Sequence, residues 1–168
     1  TGLDRLDDKM PTAWEESYDA GAGSNIVTVT GAGGGTDIEW AIDAGMLPDG
    51  MSAYFSYAPF ANGDKVNDKA VSGTDAGAAG TGHGWDIVVE HSALYDGLNV
   101  FAGYSVIDQE GNADDEKDDK NTWVAGFTYA VGGFTVGYQH SEESMGQGAV
   151  DAYENDAYGV TFAINDDL

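Results

Sequence analysis

The side chains with chemistry to offer in this sequence are overwhelmingly carboxylates. Thirty Asp and Glu stand against six Lys and Arg in 168 residues, a formal charge of −24. They come in runs. Asp4, Asp7, Asp8, Glu15, Glu16 and Asp19 crowd the start, and Asp108, Glu110, Asp114, Asp115 and Glu116 form a second run. At this density carboxylate pairs occur everywhere, so no pair marks a glycosidase-type acid and nucleophile. What such runs can do unaided is attract cations. In a narrow passage with low-dielectric walls they draw cations and repel anions. On a solvated loop the same residues do little, and both readings stand for residues 4–19. The run 108–119 offers the oxygen ligands that Ca²⁺ takes. It is not an EF-hand, because its glycine is misplaced and no helices flank it; the alternative is a hydrated acidic loop, or divalent bridging to lipopolysaccharide.

Other chemistries find no support. His83, His91 and His140 are isolated, without metal-ligand spacing. No nucleophile elbow, Walker loop or dinucleotide fingerprint occurs in the right context. Residues 31–35 (GAGGG) read as a flexible link. The absence of cysteine removes disulfides and thiolate metal sites. The expectation is therefore a non-enzyme with no cofactor other than calcium. The acidity excludes ordinary nucleic-acid binding, which needs basic side chains to displace counterions. It also opposes docking on an anionic membrane surface. With 42% hydrophobic and 11% aromatic residues, the chain is too apolar for an acidic disordered tail.

The elements that must position these groups are strands. Period-2 alternation dominates and helical periodicity is nearly absent. In 121–140, Trp123, Ala125, Phe127 and Tyr129 share one face, opposite Thr122, Val124, Gly126 and Thr128. Val131-Gly132-Gly133 turns the chain, and Phe134, Val136, Tyr138 and His140 resume the apolar face, a hairpin by pattern and turn chemistry. Tyr158, Val160, Phe162 and Ile164 repeat it, and 85–90, 98–106 and 51–58 do so too. Asp86 and Glu90 alternate with Trp85, Ile87 and Val89, which puts both carboxylates on the small, polar face. Short turns are expected near 94–97, 131–133 and 166–168, and long acidic loops at 59–83, 108–120 and 143–156.

Short turns on one side, long loops on the other and strands of about 9–11 residues suit a membrane-spanning barrel. So does the polar face, which is Gly, Ser, Thr, Asn and Gln rather than the Lys, Glu and Arg of a solvated sheet. Trp85, Tyr104, Trp123, Tyr129, Tyr138 and Tyr158 would supply interfacial girdles. No apolar run is long enough for a transmembrane helix. The alternative is a soluble β-sandwich with these aromatics as its core. Residues 25–50 are less regular. Ile26 to Thr30 and Ile38 to Ile42 look extended, and up-down parity favours one interrupted strand descending to a turn at 43–50, or a small insertion on the short-turn side.

The run from Trp123 to Gln139 (WVAGFTYAVGGFTVGYQ) and that from Ala157 to Ile164 (AYGVTFAI) resemble the hairpins of Gram-negative general diffusion porins, particularly the alphaproteobacterial type. The resemblance covers most of 51–168 and lies in hairpin style. It implies that residues 1–24 are the constriction loop folded into the lumen, with Asp4, Asp7, Asp8, Glu15, Glu16 and Asp19 as its carboxylates. It also implies a homotrimer in the outer membrane, in contact with lipid and lipopolysaccharide. The chain departs from the family pattern in one respect: it shows no cluster of bases to form the wall that usually faces that loop, so either that wall lies in further strands or the pore lacks the usual transverse field. The only bases are Arg5, Lys9, Lys65, Lys69, Lys117 and Lys120.

The expectation is thus an all-β, antiparallel transmembrane β-barrel, porin-like and partial, with about seven strands. It treats residues 1–168 as one barrel segment of a longer protein, the loop 1–24 followed by hairpins over 25–168. The implied function is passive diffusion of small hydrophilic solutes with a cation preference, Asp86 and Glu90 lining the path. The rivals are a secreted, acidic, calcium-binding β-sandwich (an adhesin or surface-layer module) and a barrel with a plugged lumen that serves as a receptor or adhesin.

Overall fold

The computed structural model describes residues 2–6, 9–10, 38–59, 81–109, 119–144 and 152–163. Seven strands form one sheet: β1 (Ile38–Ala41), β2 (Met51–Ala58), β3 (Thr81–Tyr95), β4 (Leu98–Gln109), β5 (Lys120–Val131), β6 (Phe134–Ser144) and β7 (Ala152–Phe162). Every strand pairs antiparallel with its neighbour in sequence, so the sheet is a meander. β1 and β7 are its edges, and the described residues do not close it into a barrel. The expectation of an all-β antiparallel chain with about seven strands is met at this level.

Turn chemistry accounts for the tight hairpins. Tyr95 pairs with Leu98 across Asp96-Gly97, and Val131 pairs with Phe134 across Gly132-Gly133. Gly97 (φ 76°) and Gly132 (φ 58°) occupy the left-handed region that side chains resist. Between β1 and β2 the chain makes a 3-10 turn, Ala44–Met46, capped by Asp43, whose carboxylate accepts the Gly45 N–H at 2.7 Å. All three connections lie at one end of the sheet.

The strands run further into the polar segments than their composition suggests. β3 starts at Thr81 and β7 at Ala152, so much of what reads as loop at 81–83 and 152–156 is ladder. The reason is pairing. Glu142 opposes Glu154, Ser141 opposes Asn155 and His140 opposes Asp156, which carries β6 and β7 on through residues of low strand propensity. β3 absorbs its length through register shifts between Thr81 and Gly84 and between His91 and Tyr95. At the second, the Ser92 N–H bonds the Gly50 carbonyl at 2.8 Å and the Ala93 N–H bonds His91 Nδ1 at 3.1 Å. The extended look of 26–30, the turn at 166–168 and Ile164 fall outside the described residues.

The two faces divide as the alternation requires. One carries Ile38, Trp40, Phe55, Tyr57, Ile87, Tyr104, Trp123, Phe127, Val136, Tyr158, Val160 and Phe162, all exposed, and the half-buried Trp85. Rings meet across it: Trp85 with Tyr104 at 5.7 Å, Tyr138 with Tyr158 at 5.0 Å, Phe134 with Phe162 at 4.3 Å. The opposite face is small and polar, and a 3-10 turn, Gly2–Leu6, lies on it.

The two hairpin glycines differ in what surrounds them. A Cβ at Gly97 would stand 2.2 Å from the Ala130 carbonyl oxygen, whereas one at Gly132 meets nothing within 4 Å. Gly97→Ala is expected to cost about 2 kcal/mol or more, and Gly132→Asn under about 1 kcal/mol. Urea unfolding midpoints of the two variants, measured side by side, check the order.

Candidate functional site: the inner wall and the segment upon it

The polar face owes its character to parity alone. Each strand contributes its alternate residues, and the register lines them up in rows across the sheet. One row reads Glu39, Ser56, Asp86, Ser105, Thr122, Glu143 from β1 to β6, each directly opposite the next. The neighbouring row reads Ala41, Tyr54, Val88, Gly103, Val124, Ser141. The next reads Ser52, Glu90, Phe101, Gly126, Gln139.

The segment Gly2–Leu6 covers the middle of this wall. Leu3 and Leu6 are fully buried and form a cluster with Val88, Phe101 and Val124, with Tyr54 at its margin. The wall makes room by leaving out side chains. A Cβ on Gly103 would stand 2.2 Å from a Leu3 methyl, and one on Gly126 would stand 2.5 Å from the Phe101 ring. Gly2 (φ 63°) lies so close to Asp86 that its own Cβ would sit 2.0 Å from the carboxylate. The Leu3 N–H donates to Asp86 Oδ2 at 3.2 Å.

Ion pairs fasten the rim of the segment. Arg5 forms a two-point contact with Glu39, its Nε donating to Oε2 at 3.2 Å and its Nη2 meeting Oε1. Its guanidinium also lies 4.1 Å from the Tyr54 ring centre. The hydrogen bond between them raises the Arg5 pKa above its ordinary value and lowers that of Glu39. Lys9 Nζ donates to Glu90 at 2.7 Å. Deeper in the wall, Lys120 meets Glu143 at 3.1 Å with both side chains nearly covered. A cavity of about 380 Å³ opens beside Lys9 and Glu90, lined also by Ser52, Asn99, Phe101 and Thr128.

Asp86 and Glu90 lie on the small, polar face of the sheet, as the alternation predicts, and engage Leu3 and Lys9 respectively. Asp4 falls in the 3-10 turn, but its side chain lies outside the described residues, as do Asp7, Asp8, Glu15, Glu16 and Asp19. Of the second acidic run only Asp108 is described. It lies on the outer face and meets His83 Nδ1 at 3.4 Å; Glu110, Asp114, Asp115 and Glu116 are outside the described residues. Among the described residues no three His, Cys, Asp or Glu side chains converge on one point.

Sequence reasoning missed Glu39, Glu143 and the tethering role of Arg5 and Lys9. Glu39 was within reach, since it alternates with Ile38 and Trp40. Glu143 shares parity with Gln139 and Ser141 but reads as loop. Under the two leucines the wall is buried against Val88, Phe101 and Val124.

No family model matches the chain, and no curated protein and no solved structure matches it.

Fully burying a leucine contributes roughly 1.5–3 kcal/mol, so the two leucines are the main hold on the segment. Gly103→Val is expected to displace Leu3 and loosen it. Trypsin cleavage after Arg5 and Lys9 in the folded protein should then accelerate by about tenfold or more, since about 1.4 kcal/mol of lost anchoring is a factor of ten in open population.

Proposed function

We propose that this chain is part of an outer-membrane β-barrel pore through which small hydrophilic solutes diffuse passively, with cations favoured. The observation that carries the reading is the distribution of side chains on the uncovered face. From Trp85 to Val89, Val100 to Val106, Trp123 to Val131, Phe134 to Tyr138 and Tyr158 to Phe162, every outward residue is apolar or aromatic. Tyr158 is 77% exposed and Val160 68%. Charged and amide groups on this face of β3 to β7 gather where the strands leave for the acidic segments: Asp108, Asn121, Glu142, Glu154 and Asp156.

A soluble sheet turns such a face toward a second layer. Here the only packed layer among the described residues lies on the polar side. Lipid is the solvent that suits an apolar outer face backed by a polar inner one. From Trp123 to Val131 the strand rises about 27 Å at about 3.4 Å per residue. At the usual tilt that is about 20 Å of membrane thickness, comparable with the apolar band of about 25 Å on such barrels. Further strands must pair with the edges of β1 and β7, because open edges are not tolerated in hydrocarbon.

The overall charge of −24 supplies the cation preference, since Glu39, Glu90 and Glu143 on the wall are each paired with a base. By the porin resemblance the assembly is a homotrimer in contact with lipopolysaccharide.

The decisive experiment is single-channel recording of the full-length, detergent-purified protein in a planar bilayer, under a salt gradient. Stable, weakly voltage-dependent steps that reverse on the cation side are expected. Folded, inserted protein without steps would leave the plugged barrel, and protein that stays monodisperse without detergent would leave the secreted sandwich.

A second measurement tests the orientation. Single-tryptophan variants that keep Trp85 or Trp123 are expected to lose at least about half of their emission in brominated-lipid bilayers, because both rings lie on the face assigned to lipid.

A further inference from the structure

We propose that the cavity of about 380 Å³ at the short-turn end of the inner wall binds a neutral polyhydroxy solute the size of a single sugar ring. The proposal deepens the pore reading: its place on a permeation path rests on that reading, while the site itself rests on the geometry of the wall. The cavity lies where two rows of the polar face end. One row brings Ser52, Glu90 and Phe101 side by side, and the next pairs Asn99 with Thr128. Lys9 reaches the cavity from just beyond the docked turn, its Nζ held on Glu90 at 2.7 Å. Phe101 contributes an apolar side. Its ring lies against Gly126, where a Cβ would stand 2.5 Å away. Ligand pockets run from about 300 to 1,000 Å³; this one is at the small end, which suits one ring and not a chain of them.

The lining selects against charge. Lys9 and Glu90 are committed to one another. An ionic solute would have to part that half-buried pair to gain a counter-charge, and an anion would do so on a chain of −24. A hydroxyl does not. An ammonium has three donors and a carboxylate about four acceptor sites, so the intact pair still offers hydrogen bonds of both kinds, strengthened by charge. The Ser52 and Thr128 hydroxyls and the Asn99 amide likewise both donate and accept, which is what a ring of hydroxyls needs. His91 accepts the Ala93 N–H on Nδ1, which leaves its Nε2 as a donor. The Asn99 amide is available: at 3.5 Å its Nδ2 barely reaches Thr128 Oγ1. A ligand hydroxyl beside the two replaces that poor bond with better ones.

The test is saturation-transfer NMR on the full-length protein in an amine-oxide detergent, which carries no sugar of its own. The probes are glucose and myo-inositol, with gluconate and glucosamine as charged counterparts of similar size. At least one neutral probe is expected to give a saturable signal with a Kd of about 1–10 mM. Both charged probes should bind at least about tenfold more weakly. Asn99→Ala/Thr128→Val removes the amide and one hydroxyl and should weaken the neutral probe at least about tenfold. If that variant does not fold, the isosteric Thr128→Val alone should still weaken it about threefold. No saturable signal from either neutral probe would overturn the proposal. So would a charged probe that binds as well, or a signal unchanged in the variants. Channel recording decides the pore reading separately. Binding by a protein that shows no steps upholds the site and removes only its place on a permeation path; steps without binding overturn the site alone.

Discussion

Nearly everything in this molecule depends on the antiparallel register from β2 to β7. A strand has a side-chain period of two, so its pairing decides which residues face which solvent. A slip of one residue in β3 would send Asp86 and Glu90 outward and bring Trp85 and Ile87 into the wall. It would also break the row from Glu39 to Glu143, which exists only because five successive ladders are in phase. Such a slip would move buried carboxylates to an apolar face and large rings onto a crowded one. Both penalties act in the same direction, toward a single register.

That packed layer is on the side opposite to the one a water-soluble sheet would choose. Small residues on the inner wall leave space close to the backbone, and Leu3 and Leu6 fill it. The contact is apolar at its centre and ionic at its rim. The central part dominates, because ion pairs as open as Arg5 with Glu39 contribute little each, about 0–1 kcal/mol. Their value is directional: a two-point guanidinium–carboxylate contact sets how the segment lies across the strands. Apolar packing holds the segment down, and the charged pairs orient it.

The legible part of this architecture was whatever period two controls. The facing of Asp86 against Trp85, the hairpins at Gly97 and Gly132, and the split into an aromatic and a small-residue face follow from alternation and turn chemistry. Strand ends were less legible. Glu142, Glu143, Glu154 and Asp156 have poor strand propensity, and only their partners across the ladder keep them extended. The inner cluster was less legible still. Leu3 and Leu6 lie within an acidic stretch, and their contacts with Val88 and Val124 span most of the chain. Nothing local in Gly2–Leu6 announces a docking element. The void above Gly103 is readable only once Leu3 is seen to fill it.

The bases complete the electrostatic picture. Among the described residues they are Arg5, Lys9 and Lys120, and each meets a wall carboxylate: Glu39, Glu90 and Glu143. Over this stretch two bases of a segment that also carries Asp4, Asp7 and Asp8 meet carboxylates of the polar face. Paired charges cancel at short range and leave little transverse field of their own. The excess of carboxylates over bases in the whole chain is untouched by that pairing. A lumen built on this wall would therefore favour cations through its net negative potential rather than through a separation of opposite charges. A potential of that kind falls with ionic strength over a Debye length of about 10 Å at 0.1 M salt. Selectivity should then be strong in dilute electrolyte and fade in concentrated salt, whereas a charge separation built across a narrow constriction would persist.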